Sequence, residues 1–291
     1  MPAPELLRYR QPYDWPAVLH WLEPRATPGV ELVSGAAYRR TVRLAGHRGV
    51  VHVSHEPGVA ALRVDLSPSL RPVKAHLETR LRHLFDLDTD PAIIQQHLGR
   101  DAGLRPLLEQ RPGLRIVGAM EGFELAVRAV LGQQVSVRGA STLAGRLVAL
   151  IGERLDGAES EPATLPLSAE RLADAAESEV ASIGIPRARA RTLIALARAV
   201  AAGSLELFQG ADPDRTRRAL LEIPGIGEWT AEYVLMRAVR WPDAFPAADL
   251  GLRRAAGGVT AAALRERAEV WRPWRSYAAV YLWQSLSDGP R

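Results

Sequence analysis

Hydrophobic and polar positions keep two different rhythms along this chain. In the first third they alternate. Tyr38–Leu44, Gly49–His55 and Ala60–Leu66 alternate loosely and are rich in Val, Leu, Arg and His, the pattern of half-buried strands. Ala45-Gly46-His47-Arg48 and Glu56-Pro57-Gly58 separate them and read as hairpin turns. Asp14–Leu22 ahead of these segments and Val73–Phe85 behind them have helical spacing, the latter through Val73, Leu77, Leu81 and Leu84. A small antiparallel sheet with helices packed on one face is expected.

Near Thr89-Asp90-Pro91 the rhythm changes. Strand signals nearly vanish, and windows rich in Ala, Leu and Arg take over. Helices are predicted over Pro91–Leu98, Arg105–Glu109, Phe123–Leu131, Val137–Ile151, Ala169–Ala176, Glu177–Ile183, Ala188–Ala202, Pro213–Leu221, Glu228–Val239 and Leu250–Ala255. Another covers Ala261–Leu286, with a break near Pro273. The expected fold is mainly α: a mixed α/β domain over residues 1–89, then an all-helical region over 90–291. The acidic stretch Asp156–Leu167, with Pro162 and Pro166, reads as a mobile surface loop. Ile183-Gly184-Ile185-Pro186 reads as a connecting turn without chemistry, and no repeat of solenoid period occurs.

Composition narrows the chemistry. At 291 residues with 47% hydrophobic content, the chain can bury two sizeable cores. It has no apolar run of the roughly eighteen residues a spanning helix needs. Met1-Pro2-Ala3-Pro4-Glu5 has no signal-peptide pattern, so a cytoplasmic protein is expected. Cysteine is absent, which removes disulfides, thiolate metal sites and thiol nucleophiles. The net charge of +4 gives modest support for a polyanionic partner. Lys74 is the one lysine, and all seven histidines fall at or before His97. Catalysis by the later segment must then rely on carboxylates, water or electrostatics.

The most informative segment is Leu221-Glu222-Ile223-Pro224-Gly225-Ile226-Gly227-Glu228-Trp229-Thr230-Ala231. Glycine tolerates positive φ and lets another backbone approach, and the first N–H groups of the next helix point outward as anion donors. An ordinary helix–helix turn would also use Pro-Gly. Downstream, Asp249 follows a helix breaker and opens an apolar-periodic run. That is an N-cap position. It is also where the helix dipole favours a carboxylate, which can face a positive transition state.

The hairpin resembles the helix–hairpin–helix of DNA-binding proteins. With Asp249 at its offset, it resembles the helix–hairpin–helix DNA glycosylase superfamily. Three segments are similar to 3-methyladenine DNA glycosylase II, the AlkA type: Trp271-Arg272-Pro273-Trp274-Arg275-Ser276-Tyr277-Ala278, Gly225–Tyr233, and Gly132-Gln133-Gln134-Val135-Ser136 after Phe123–Leu131. The similarity runs from Phe123 to Trp283, and the N-terminal third fits the family's extra domain in pattern only.

The resemblance implies excision of alkylated purines from double-stranded DNA by base flipping, in base excision repair, by a monomer. Asp249 is then the catalytic carboxylate. Trp229, Tyr233 and Trp274 would line the base pocket, against the plainer reading of core packing, to which Trp241, Trp271 and Trp283 are left. Gln134 stands where the family inserts a side chain into the duplex, commonly an apolar one. Gly225, Gly227 and Thr230 would contact the backbone. Arg253, Arg254, Arg272 and Arg275 could meet phosphates or simply form a solvated face. The carbonyls of Leu221, Ile223 and Ile226 would hold a monovalent cation, Na+ or K+, with no other cofactor. Trp229 stands where lyase-competent relatives carry a Schiff-base lysine, so base removal without strand cleavage is implied. Two alternatives stay open: a glycosylase for deaminated or oxidised purines, and a DNA-binding or scaffold module without enzymatic activity.

Overall fold

The computed structural model describes residues 5–158 and 160–288; the segment Met1–Pro4, part of the stretch read for a signal, lies outside them. The N-terminal sheet is antiparallel throughout and has five strands in the order β1-β5-β4-β3-β2. The strands are β1 (Glu5–Arg8), β2 (Glu31–Ser34), β3 (Ala37–Leu44), β4 (His47–Glu56) and β5 (Ala61–Leu66). The central three were expected. The β3–β4 turn is tighter than the sequence suggested: Leu44 pairs with His47, leaving only Ala45 and Gly46 in the loop. Both have positive φ, 47° and 81°, the backbone a two-residue hairpin demands.

Helices α1 (Trp15–Leu22) and α2 (Lys74–Phe85) cover this sheet. Asp14 caps α1 by accepting from the Ala17 N–H at 2.9 Å. Trp15, Leu19, Tyr38, Val51, Val53, Leu77, Leu81 and Phe85 share one buried core. Val117 and Met120 join it, so packing carries past the change of rhythm near residue 89.

The helical region follows as α3 (Pro91–Leu98), α4 (Arg105–Gln110), α5 (Gly122–Leu131), α6 (Val137–Ile151), α7 (Ala169–Ala173), α8 (Glu177–Ala181), α9 (Arg187–Ala201), α10 (Pro213–Leu221), α11 (Glu228–Val234), α12 (Leu250–Ala255), α13 (Ala261–Arg267) and α14 (Arg275–Asp288). The helix predicted to Val239 changes at Leu235 into a π-helical turn, Leu235–Val239. Two cores organise the region. One is built from α5 to α11 around Leu131, Leu147, Leu193, Leu196 and Leu220. The other gathers α3, α4 and α12 to α14 around Leu98, Leu104, Leu252, Trp271 and Leu282.

The stretch expected to be a mobile loop is instead packed across the domain junction; only its Glu159 lies outside the described residues. Ala163 and Thr164 donate their N–H groups to the Gly29 carbonyl at 2.9 and 2.8 Å, and Leu165 is fully buried. Its acidic residues hid an apolar anchor. Buried ion pairs fasten the same junction: Arg40 of β3 meets Glu31 and, at 2.8 Å, Glu124 of α5. No helix among the described residues is long and apolar enough to cross a membrane.

Candidate active site

A cleft of about 1050 Å³ opens where the three cores meet. Its walls come from α1 (His20, Trp21), the α5–α6 loop (Gly132–Ser136), the hairpin (Gly225, Gly227), α11 (Trp229, Thr230, Tyr233), Asp249 and α14 (Trp283, Leu286). Two consequences follow for the sequence expectations. His20 brings an imidazole from the other domain to the cleft. Trp283 lines the cleft and Trp274 does not. The Trp274 indole packs into the second helical core, edge-on to Tyr277 with centroids 5.9 Å apart.

Asp249 sits at the N-cap of α12, and its side chain accepts the Leu252 N–H at 2.9 Å. The capping role is therefore present. It is not the whole role, because two indoles also converge on the carboxylate. Trp229 Nε1 donates to Oδ2 at 2.8 Å, and Trp283 Nε1 donates to Oδ1 at 2.9 Å. The carboxylate is thus fixed by three donors from α11, α12 and α14 while lining an open cleft. Gly251 makes room for this arrangement. A Cβ there would lie 3.0 Å from Asp249 Oδ1 and 3.3 Å from Trp283 Cδ1.

Behind the carboxylate stands an aromatic wall. Trp229 and Tyr233, one turn apart on α11, stack at 5.3 Å with an 11° tilt. Trp283 meets Tyr233 edge-on at 6.3 Å and Trp21 at 5.7 Å. Guanidinium groups surround this wall. Arg25 lies 3.6 Å above the Trp21 ring. Arg237, in the π-helical turn, donates to the Tyr233 hydroxyl. Burial alone would raise the Tyr233 phenol, but Arg237, Arg25 and Arg128 together bring it below its usual value. Burial in turn lowers Arg25 to about 10, against the opposing pull of Tyr233. Arg25 and Arg128 both line the cleft, and no local motif singled them out.

The hairpin has the geometry its glycines allow. Gly225 has φ +91°, and a Cβ there would stand 2.3 Å from Thr192 Oγ1. Thr192 uses that hydroxyl to hold the Pro224 carbonyl at 2.7 Å. Gly227 caps α11, and a Cβ on it would meet nothing within 4 Å. Its absence of a side chain is unexplained by internal packing and leaves the backbone open to an approaching ligand. Thr230, expected to face DNA, is buried and accepts from Gln133 Nε2 at 3.1 Å. Gln134 is exposed at the rim with φ +59°. The Leu221 and Ile223 carbonyls leave α10, and Ile223 O accepts the Ile226 N–H at 3.0 Å.

The downstream arginines divide. Arg275 is buried and pairs with Asp243 at 2.7 Å, and Arg272 pairs with Asp243 and with Glu269 at 2.9 Å. These two hold the Trp-Arg-Pro-Trp segment rather than offering charge to a phosphate. Arg253 Nε donates to the Val259 carbonyl at 2.9 Å; Arg254 is exposed. Trp271 is buried, its Nε1 donating to Asp101 at 2.9 Å, and Trp241 packs beneath Arg217 at 4.7 Å.

Comparison with known proteins agrees with this geometry. Residues 6–121 match the AlkA N-terminal domain, and residues 127–272 match the HhH-GPD superfamily base excision DNA repair proteins. Over 285 residues the chain is 43% identical to a probable bifunctional transcriptional activator/DNA repair enzyme AlkA of Mycobacterium tuberculosis (strain ATCC 25618 / H37Rv), covering 96% of this chain and 56% of that protein. It thus spans little more than half the length of that relative. It is 38% identical over 277 residues to DNA-3-methyladenine glycosylase 2 of Escherichia coli (strain K12), with 95% of each covered. A solved 3-methyladenine DNA glycosylase from Archaeoglobus fulgidus superposes with TM-score 0.83 at 23% identity over 98% of both chains, a likeness of fold. The chain belongs to the HhH-GPD superfamily of base excision DNA repair proteins, preceded by an AlkA N-terminal domain.

Proposed function

We propose that the chain is a monofunctional DNA N-glycosylase that removes alkylated purines from double-stranded DNA. One observation carries the reading: a carboxylate, Asp249, held by two indole N–H groups and a backbone N–H in the wall of a cleft beside a helix–hairpin–helix. The hairpin, with Gly227 open to approach, grips phosphates without reading sequence. Gln134 enters the duplex, and the damaged nucleotide turns into the cleft. As the N–C1′ bond stretches, positive charge develops on the sugar, and Asp249 stabilises it and orients the attacking water. The base departs with the N–C1′ electron pair, and water adds to C1′ and passes its proton to the Asp249 carboxylate, which returns it to solvent. A cationic alkylpurine leaves as a neutral molecule and needs no strong general acid.

Absence of strand cleavage is part of the proposal. Trp229 turns its N–H to Asp249, so no amine stands beside the carboxylate on α11. Lys74 is engaged with Glu5 at 2.6 Å and Glu78 at 3.8 Å in the other domain. A monovalent cation on the Leu221, Ile223 and Ile226 carbonyls would bridge the hairpin to a phosphate. The Pro224 and Gly225 carbonyls between them already accept from Thr192 and Gln133. The double-stranded DNA partner and a monomeric, cytoplasmic protein belong to the same proposal.

A second reading, excision of neutral deaminated or oxidised purines, is favoured by one feature. Arg25 and Arg128 line the cleft. Guanidinium N–H groups repel a cationic base but suit the carbonyl edge of a neutral one. The test is incubation with methylated duplex DNA and with hypoxanthine-containing duplex, followed by chromatography of released bases. Release of 7-methylguanine and 3-methyladenine supports the proposal; release of hypoxanthine alone replaces it with the second reading.

A further inference from the structure

Gln133 ties the α5–α6 loop to the hairpin. Its Nε2 donates to the Gly225 carbonyl at 2.9 Å and to the buried Thr230 hydroxyl at 3.1 Å. Its own carbonyl accepts from Arg189 Nη2, on α9, at 2.9 Å. The residue is therefore held through both side chain and backbone. Its neighbour Gln134 is exposed and has φ +59°, a conformation that disfavours any residue carrying a Cβ. Val135 and Val137, just beyond, are exposed apolar residues on the same rim. A loop in this state relaxes unless something outside it fixes the backbone. Within the loop, Val135 N–H reaches the Gly132 carbonyl only at 3.5 Å; the shorter bonds on Gln133 come from the hairpin, α11 and α9.

We propose that Gln133 is a positioning residue that couples the hairpin's hold on the DNA backbone to the insertion of Gln134, and so to nucleotide flipping. The proposal rests on the glycosylase reading. The two acceptors of its amide lie on the phosphate-facing turn and on the first turn of α11. A hairpin seated on a phosphate thus sets the position of the loop through one side chain. Gln133 lines the cleft, but its amide hydrogens are spent on the hairpin and on α11.

The coupling is tested by a double-mutant cycle. Gln133→Met keeps length and shape but removes the donors, and Gln134→Ala removes the inserted side chain. Single-turnover release of 7-methylguanine is measured from a duplex with the lesion paired to cytosine. It is measured again with the lesion opposite an abasic-site analogue, where no pairing opposes flipping. In the paired duplex Gln133→Met is expected to be slower by about tenfold, the scale of two lost neutral hydrogen bonds, and Gln134→Ala, which lacks the inserted side chain, is expected to be slower as well. The double variant should be no slower than the worse single one, because a loop without its wedge gains nothing from being fixed. Opposite the abasic analogue, the Gln133→Met loss should shrink to about threefold or less. Affinity for undamaged duplex should stay within about twofold of the unmodified protein. Gln133→Glu, which sets a carboxylate against the Gly225 carbonyl, serves as a second variant and should show at least the same paired-duplex loss. Three results overturn the coupling: multiplicative losses in the double variant, an undiminished loss on the unpaired lesion, or a parallel fall in undamaged-duplex affinity. An unmodified protein that releases no base at all overturns the glycosylase reading itself; an active protein with multiplicative losses overturns only the role of Gln133.

Discussion

Trp283→Phe isolates the contribution of one indole N–H to the site. The substitution keeps an aromatic ring between Tyr233 and Trp21, where the native centroid separations are 6.3 and 5.7 Å. It deletes the 2.9 Å hydrogen bond to Asp249 Oδ1. A hydrogen bond to a charged group contributes about 1.5–3 kcal/mol. Oδ1 keeps the Leu252 N–H, and Oδ2 keeps Trp229, so the lower half of that range applies. At about 1.4 kcal/mol per factor of ten, single-turnover excision should slow by roughly 10- to 40-fold. The assay is release of 7-methylguanine at saturating enzyme, with duplex affinity and thermal unfolding measured on the same preparation. Affinity should hold within about twofold, and the midpoint should move by only a few degrees. Gly251→Ala, whose Cβ crowds both Asp249 Oδ1 and Trp283 Cδ1, should produce a loss of the same kind. Full-rate excision by a folded Trp283→Phe protein would refute the claim that the indole donors hold the catalytic carboxylate.

The hairpin glycines separate folding from binding. Gly227→Ala meets no neighbour within 4 Å and should leave the unfolding midpoint unchanged while weakening damaged and undamaged duplex alike; selective loss for damaged DNA would place Gly227 in the base pocket. Gly225→Ala combines φ +91° with a 2.3 Å clash on Thr192 and should lower the midpoint by the equivalent of about 1–3 kcal/mol, read by calorimetry. Borohydride added during turnover should trap no protein–DNA adduct, and strands should break only after hot alkali; a trapped adduct would contradict the monofunctional reading. Burial, with Arg240 and Arg237 nearby and a partly opposing hydrogen bond to the Ala238 backbone, pushes His83 down to about 3. Between about 6.5 and 3 the unfolded chain binds a proton there that the native one does not, so stability falls on acidification through that window. His83→Gln should flatten the drop in unfolding midpoint between pH 6.5 and 4, and an unchanged slope would assign the drop to other groups.

Most helices and the three central strands were legible because each carries a full amphipathic period. Edge strands β1 and β2 were not: both are four residues long, and β2 is partly exposed along its length. The N-cap position of Asp249 was legible from the helix breaker before it and the apolar period after it; its offset from the hairpin acquired meaning only through the family resemblance. Which tryptophan faces the cleft was not. Trp274 lies just before α14, and Trp283 lies within it; the helix places the later indole against Asp249, which apolar residues on nearly every face of α14 could not announce. Arg25 and Arg128 were missed because a guanidinium beside an aromatic ring depends on tertiary approach. The burial of Thr230 and its bond from Gln133 were hidden for a similar reason. Gln133 reaches that hydroxyl only across 97 residues of chain.

The central claim is that Asp249 does the chemistry rather than only capping α12. Asn is as good an N-cap as Asp, so Asp249→Asn keeps the Leu252 contact while removing the charge. The decisive measurement is single-turnover release of 7-methylguanine from methylated duplex by Asp249→Asn beside the unmodified protein, with circular dichroism and duplex affinity recorded on both. The account predicts a folded variant that binds duplex normally and releases no base above the spontaneous rate. A folded Asp249→Asn protein that releases base at the unmodified rate would contradict it.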